Sequence, residues 1–117
     1  MNSVDLKNEG NEFYLKKNFI NAIDCYKRSL ELTKDKILRV QNLSNLAQCY
    51  LCLDMYEDAL DHCNFALRID PEFMKAKFRK ARALMRLFRF EESLKVLDKL
   101  SKKEAKKEIE NLNLIKE

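Results

Sequence analysis

The chain has 117 residues, 46% of them apolar and 36% charged, long enough for one domain with its own core and too apolar for intrinsic disorder. One Gly and one Pro leave too few turn formers for a fold of tight hairpins, which excludes an all-β architecture. Lys and Arg outnumber Asp and Glu by 23 to 19, a formal charge of +4 that falls short of the basic excess of a nucleic-acid binder, and no apolar run is long enough to span a membrane.

Apolar residues at helical spacing begin with Val4, Leu6, Phe13 and Tyr14, then resume with Ala22, Tyr26 and Leu30. A third stripe holds Ile37, Val40, Leu43, Leu46, Ala47 and Tyr50, and a fourth holds Ala59, Cys63, Ala66 and Leu67. The fifth, Phe73, Ala76, Ala81 and Leu84, is expected to start at Asp70-Pro71, read as a helix cap followed by Pro at the first helical position. A sixth helix opens near Phe90, and Ala105, Ile109, Leu112 and Ile115 form a seventh stripe. Breaks are expected near Lys17-Asn18, Lys34-Asp35, Asp54-Met55, Asp70 and Phe88-Arg89.

The pattern aromatic-x-x-small-aliphatic occurs three times, as Phe19 to Ile23, Tyr56 to Leu60 and Phe90 to Leu94, with the aromatics 37 and 34 residues apart. Each occurrence sits between two amphipathic helices, neither of which can bury its stripe alone, so neighbouring units must stack. This register resembles the tetratricopeptide repeat, a 34-residue helix-turn-helix unit. The first repeat (3–36) supplies Leu6, Gly10, Phe13, Ala22 and Tyr26; the second (40–73) supplies Leu43, Leu46, Ala47, Tyr50, Ala59, Cys63 and Pro71. The third (74–107) keeps Ala81, Leu84, Phe90, Ser93 and Leu97 but carries Lys77, Lys80 and Ala105 where a large residue, Leu and Pro are expected. Three extra residues, Ile37, Leu38 and Arg39, precede the second repeat. The resemblance implies a single all-α domain over 1–117: a right-handed superhelix of three such repeats closed by a capping helix at about 104–117. Gly10 then falls where two helices cross closely, as Ala47 and Ala81 do in their repeats.

Lys7 and Asn11 share one face of the first helix, Asn45 occupies the corresponding face of the third, and Lys75 and Arg79 share a face of the fifth. Residue by residue these resemble the two-carboxylate clamp of co-chaperone tetratricopeptide domains. That resemblance implies binding of the acidic C-terminal tail of heat shock protein 90 or heat shock protein 70, with no nucleic-acid or membrane partner and a monomeric state. The chemistry suits those residue types. Lys and Arg form charge-assisted hydrogen bonds to a terminal Asp, which carries two carboxylates, while Asn donates without adding charge. By helical spacing Tyr14, Gln48, Cys52, Arg82 and Arg86 are secondary groove positions. Partial burial between helices serves Tyr14 and Cys52 equally well, and solvation serves the two arginines. A scaffold that binds another protein through its other faces is the alternative reading.

Cys49 and Cys52 form a CxxC pair near His62 and Cys63, but they fall late in a helix and not at its N-terminus, and His62 and Cys63 point in different directions. Core packing is the expected role of these cysteines, with no metal and no cofactor. With a single His and no Gly-rich phosphate loop, no catalytic set is visible and the chain is not expected to be an enzyme. Neither end reads as a targeting segment, so a cytoplasmic or nuclear location is expected. The stretch 42–51 and the three-residue insertion look most like the immunophilin branch (FK506-binding proteins), in which an isomerase domain would precede this one.

Overall fold

The computed structural model describes residues 1–98, which form six helices: α1 (Ser3–Leu15), α2 (Phe19–Leu32), α3 (Lys36–Cys52), α4 (Tyr56–Ile69), α5 (Met74–Arg86) and α6 (Phe90–Asp98). Among the described residues there is no strand. All five expected breaks fall between helices. The expected capping helix at 104–117 and the end of the third repeat lie outside the described residues.

Local chemistry starts three of the helices. Asn2 caps α1 by accepting from the Asp5 amide at 2.8 Å, Asn18 caps α2 through the Asn21 amide at 3.3 Å, and Asp35 caps α3 through the Ile37 amide at 2.8 Å. The α1–α2, α3–α4 and α5–α6 turns are copies of one another. In the first, the Lys17 amide donates to Tyr14 O and the Asn18 amide to Phe13 O; Asp54 and Met55 do the same onto Leu51 and Tyr50, and Phe88 and Arg89 onto Met85 and Leu84. This is the two-bond C-terminal cap that needs one left-handed residue, and Lys17, Asp54 and Phe88 adopt φ of 61°, 59° and 61°. The scarcity of glycine therefore leaves all three turns intact but places side chains where glycine is usual.

The start of α5 corrects one expectation. Asp70 ends α4, its amide donating to Ala66 O, and it also opens a turn in which Phe73 N reaches Asp70 O and Glu72 N reaches Asp70 Oδ1. Pro71 sits inside that turn, where its fixed φ suits the second position, and Phe73 is the residue that precedes α5.

Consecutive helices pack on one another, and α3 also touches α1 and α5, which sets the first helices of the three pairs side by side. The main core joins Ala22, Tyr26, Leu46, Cys49, Tyr50, Ala59, Leu60, Ala83 and Leu84. Gly10 has a steric reason: a Cβ there would lie 2.7 Å from Tyr26 Cε1, inside the ring's contact distance. The insertion before the second repeat lengthens α3 to 17 residues against 13 in α1 and α5. It does not extend the apolar stripe as expected, because Ile37 is 71% exposed; Val4 is also exposed. Lys77, out of place for a core position, is nevertheless buried, with its stem inside and its ammonium 2.9 Å from Glu72 Oε2.

Candidate functional site

A groove runs along α1, α3 and α5. Its widest recess, about 430 Å³, is lined by Lys7, Asn11, Gln41, Ser44, Asn45, Phe73, Met74 and Lys75. Four of the five residues expected to form the clamp thus meet in one space. An adjoining recess of about 210 Å³ shares Asn11 and Asn45 with it and adds Tyr14, Gln48 and Arg79, so the fifth stands in the next compartment of the same groove. A third recess of about 170 Å³ continues from Gln48 to Cys52, Tyr56, Arg82 and Arg86. All five secondary positions therefore line the groove. No Asp or Glu lines either of the first two recesses, so every charged side chain that lines them is a cation.

The polar groups are held before any ligand arrives. Lys7 donates through Nζ to Gln41 Oε1 at 3.1 Å, which leaves the other ammonium hydrogens for the recess. Asn11 Oδ1 accepts from the Tyr26 hydroxyl at 2.6 Å; this fixes the amide so that its NH₂ group is the end left to donate. Tyr26 itself is buried, and that burial raises its hydroxyl pKa, keeping it a donor. Lys75 is exposed, and Asn45 is half-buried. Gln48 donates to the Tyr14 hydroxyl at 3.2 Å and leaves its own Oε1 buried without a partner.

Arg79 differs from the expected free cation. Its Nη1 donates to Ser44 O at 2.9 Å and to Ser44 Oγ at 2.6 Å, so it ties α5 to α3 as well as lining the groove. Burial lowers its pKa from the ordinary arginine value, although a guanidinium starts high enough to remain charged. Arg86 lies 5.9 Å from the Tyr56 ring centre, a cation–π distance at the far end of the groove.

Sequence reasoning missed Gln41, Ser44, Phe73 and Met74 as lining residues and Tyr26 as the group that orients Asn11. Gln41 could have been found, since it stands one helical turn before Asn45. Tyr26 and Ser44 act through contacts between helices, which no local spacing reveals.

The CxxC pair divides between two environments. Cys49 is buried in the main core and Cys52 is exposed on the groove. Burial pushes the thiols of Cys49 and Cys63 up to about 12 and raises that of Cys25. Among the described residues, no three His, Cys, Asp or Glu side chains gather in a metal-binding cluster. His62 is engaged elsewhere, its Nδ1 2.7 Å from Asp58 O and its ring 4.9 Å from that of Tyr50. Alkylation at neutral pH should therefore modify Cys52 first and leave Cys49 and Cys63 protected until the protein unfolds. Peptide mass mapping over time checks this, and labelling of Cys49 as fast as Cys52 would overturn the core assignment.

A family model described as tetratricopeptide repeat matches residues 41–73. The chain is 32% identical over 103 residues to Protein unc-45 homolog B of Xenopus laevis, covering 88% of this chain and 11% of that protein's length. Among solved structures it is similar to the Hsp90 co-chaperone Cns1 from Saccharomyces cerevisiae, with a TM-score of 0.85 and 25% identity over 97% of this chain and 39% of that one. It is also similar to the second TPR domain of the human RPAP3 protein, solved in complex with the HSP70 peptide SGPTIEEVD. That likeness has a TM-score of 0.78 and 25% identity, and covers 95% of this chain and 94% of the other. Among the described residues, no helix is long and apolar enough to cross a membrane.

Proposed function

The chain forms a tetratricopeptide repeat domain, and from that premise we propose that its groove binds the free C-terminus of an acidic chaperone tail, as a co-chaperone adaptor. The observation that carries the reading is the convergence of Lys7, Asn11, Asn45 and Lys75 on one acid-free recess, with Arg79 in the next compartment. The RPAP3 domain reported above, solved with the HSP70 peptide SGPTIEEVD, supports the same class of ligand.

In this reading Lys7 and Lys75 attract the two carboxylates of a terminal Asp. Asn11, held by Tyr26, and Asn45 orient the peptide by donation, and Arg79 holds the wall between α3 and α5 while adding positive field. Upstream acidic residues of the tail would then meet Arg82 and Arg86. The domain acts by binding alone, as a monomer and without a cofactor, and any catalysis would come from elsewhere in a longer protein. The relatives reported give the immunophilin branch no support.

The test compares a Glu-Glu-Val-Asp peptide bearing a free C-terminus with the same peptide amidated. Micromolar binding of the free acid, about −8 kcal/mol, and at least tenfold weaker binding of the amide are expected by calorimetry. Equal binding of the two would exclude a carboxylate clamp and favour a scaffold that works through other faces.

A further inference from the structure

The groove does not use the extra turn of α3. Lys36 and Arg39, from that turn, line a separate recess of about 470 Å³ with Lys34, Arg68 and Ile69. It lies between the end of α2, the start of α3 and the end of α4, and it holds four cations and no acid. Arg28, Lys77 and Arg89 hold ion pairs elsewhere, and Arg68 lies 5.6 Å from the centre of the Phe65 ring. The nearest carboxylates by sequence are occupied with the backbone, Asp35 accepting from the amides of Ile37 and Leu38, and Asp70 from that of Glu72. Arg39 is set in place by donation from Nη1 to Leu30 O at 3.2 Å and Thr33 O at 3.1 Å, which leaves the rest of its fork available.

A smaller recess of about 110 Å³ adjoins the basic one, sharing Lys36 and Ile69 with it; Ile37, Val40, Asp70 and Phe73 complete its lining. This is where the exposed Ile37 belongs. Positive charge beside an apolar notch calls for a ligand with both characters. The first amides of α3 already serve Asp35, so no cradle of backbone donors exists for a compact phosphate. The charges stand instead on long side chains spread around a wide recess, which suits several separated carboxylates.

We propose that this surface is a second docking site, which takes an acidic segment of a partner protein. Its carboxylates rest on Lys34, Lys36, Arg39 and Arg68, and one apolar side chain enters the notch formed by Ile37, Val40, Ile69 and Phe73. The site requires neither a free C-terminus nor any cation of the groove, and of its residues only Phe73 also lines the clamp recess.

The test uses the whole chain, isotope-labelled, titrated with the peptide Glu-Asp-Leu-Glu-Asp-Glu blocked at both ends so that it carries no terminal carboxylate. Saturable amide shifts are expected over 34–40 and 66–73, about tenfold or more weaker binding in a Lys34→Glu/Arg68→Glu variant of unchanged helicity, and severalfold weaker binding when the peptide's Leu is replaced by Ser. Should that variant lose helicity, the exposed single change Ile37→Ser reads the same site. No saturable shift at millimolar peptide, shifts confined to the groove, or affinity indifferent to both variants would overturn the proposal. So would saturation of the same amides by inorganic phosphate as tightly as by the peptide. Failure here leaves the amidation experiment untouched, so the two sites stand or fall separately.

Discussion

A Lys7→Ala/Lys75→Ala variant is expected to bind the free-acid Glu-Glu-Val-Asp peptide about a hundredfold more weakly than the parent while keeping its helicity. Each ammonium contributes a charge-assisted hydrogen bond worth roughly 1.5 to 3 kcal/mol, and two at the lower end amount to about two decades of affinity. The pair is chosen because its removal disturbs little else. Lys75 is exposed, and among the described residues Lys7 donates to the half-buried Gln41, so neither truncation strands a buried group. Arg79→Ala would be a poorer probe: it also breaks two hydrogen bonds to Ser44 between α5 and α3, and a loss of binding could follow from a loosened wall. Raised salt should weaken the parent's binding more steeply than the variant's, which keeps Arg79, Arg82 and Arg86, since the Debye length is about 8 Å at physiological ionic strength. Calorimetry with unchanged affinity would make the match of residue types coincidental.

The largest loss of stability is expected from Leu46→Ala. Leu46 is fully enclosed at the centre of α3, the helix that touches α1, α2, α4 and α5. Its neighbours in the core come from four helices, so the cavity left by truncation has rigid walls and little chance to collapse. Such a change costs about 2 to 5 kcal/mol, against a typical total of roughly 5 to 15 kcal/mol for a domain of this size. Urea denaturation followed by circular dichroism reads the difference, with a melting temperature lower by on the order of 10 °C. A loss below about 1 kcal/mol would mean that the stack is held by its separate pairs and not through α3.

The helices were legible because the stripes of Leu43, Leu46, Ala47 and Tyr50, and of Ala59, Cys63 and Ala66, repeat at helical spacing and are buried as that spacing requires. Gly10 was legible because a missing side chain in a helix needs a steric reason, and the Tyr26 ring supplies it. The clamp residues were legible as types, since the requirement for cations and amides on one face constrains sequence directly. What escaped depends on pairs distant along the chain: Tyr26 on Asn11, Gln41 on Lys7, Ser44 on Arg79. Asp70-Pro71 misled because the same two residues that can start a helix can also form a turn, and the end of α4 used Asp70 first. Ile37 misled because helical spacing identifies a stripe without saying where the neighbouring helix stops covering it.

The three copied turns bear on how much mutation the domain can absorb. A side chain held at positive φ costs roughly 1 to 2 kcal/mol, and Lys17, Asp54 and Phe88 each stand in that conformation at the outer end of a hairpin. Lys17 and Phe88 line neither the groove nor the basic recess, whereas Asp54 lines the groove's third recess. The domain therefore keeps, at Lys17 and Phe88, two places off both binding surfaces, a latent margin that glycine could release. Destabilising changes in the groove, of the kind that alter ligand preference, could be compensated there without touching the residues under selection. At the first and third turns the repeat's geometry thus separates positions that set robustness from those that set recognition, while at Asp54 the two meet.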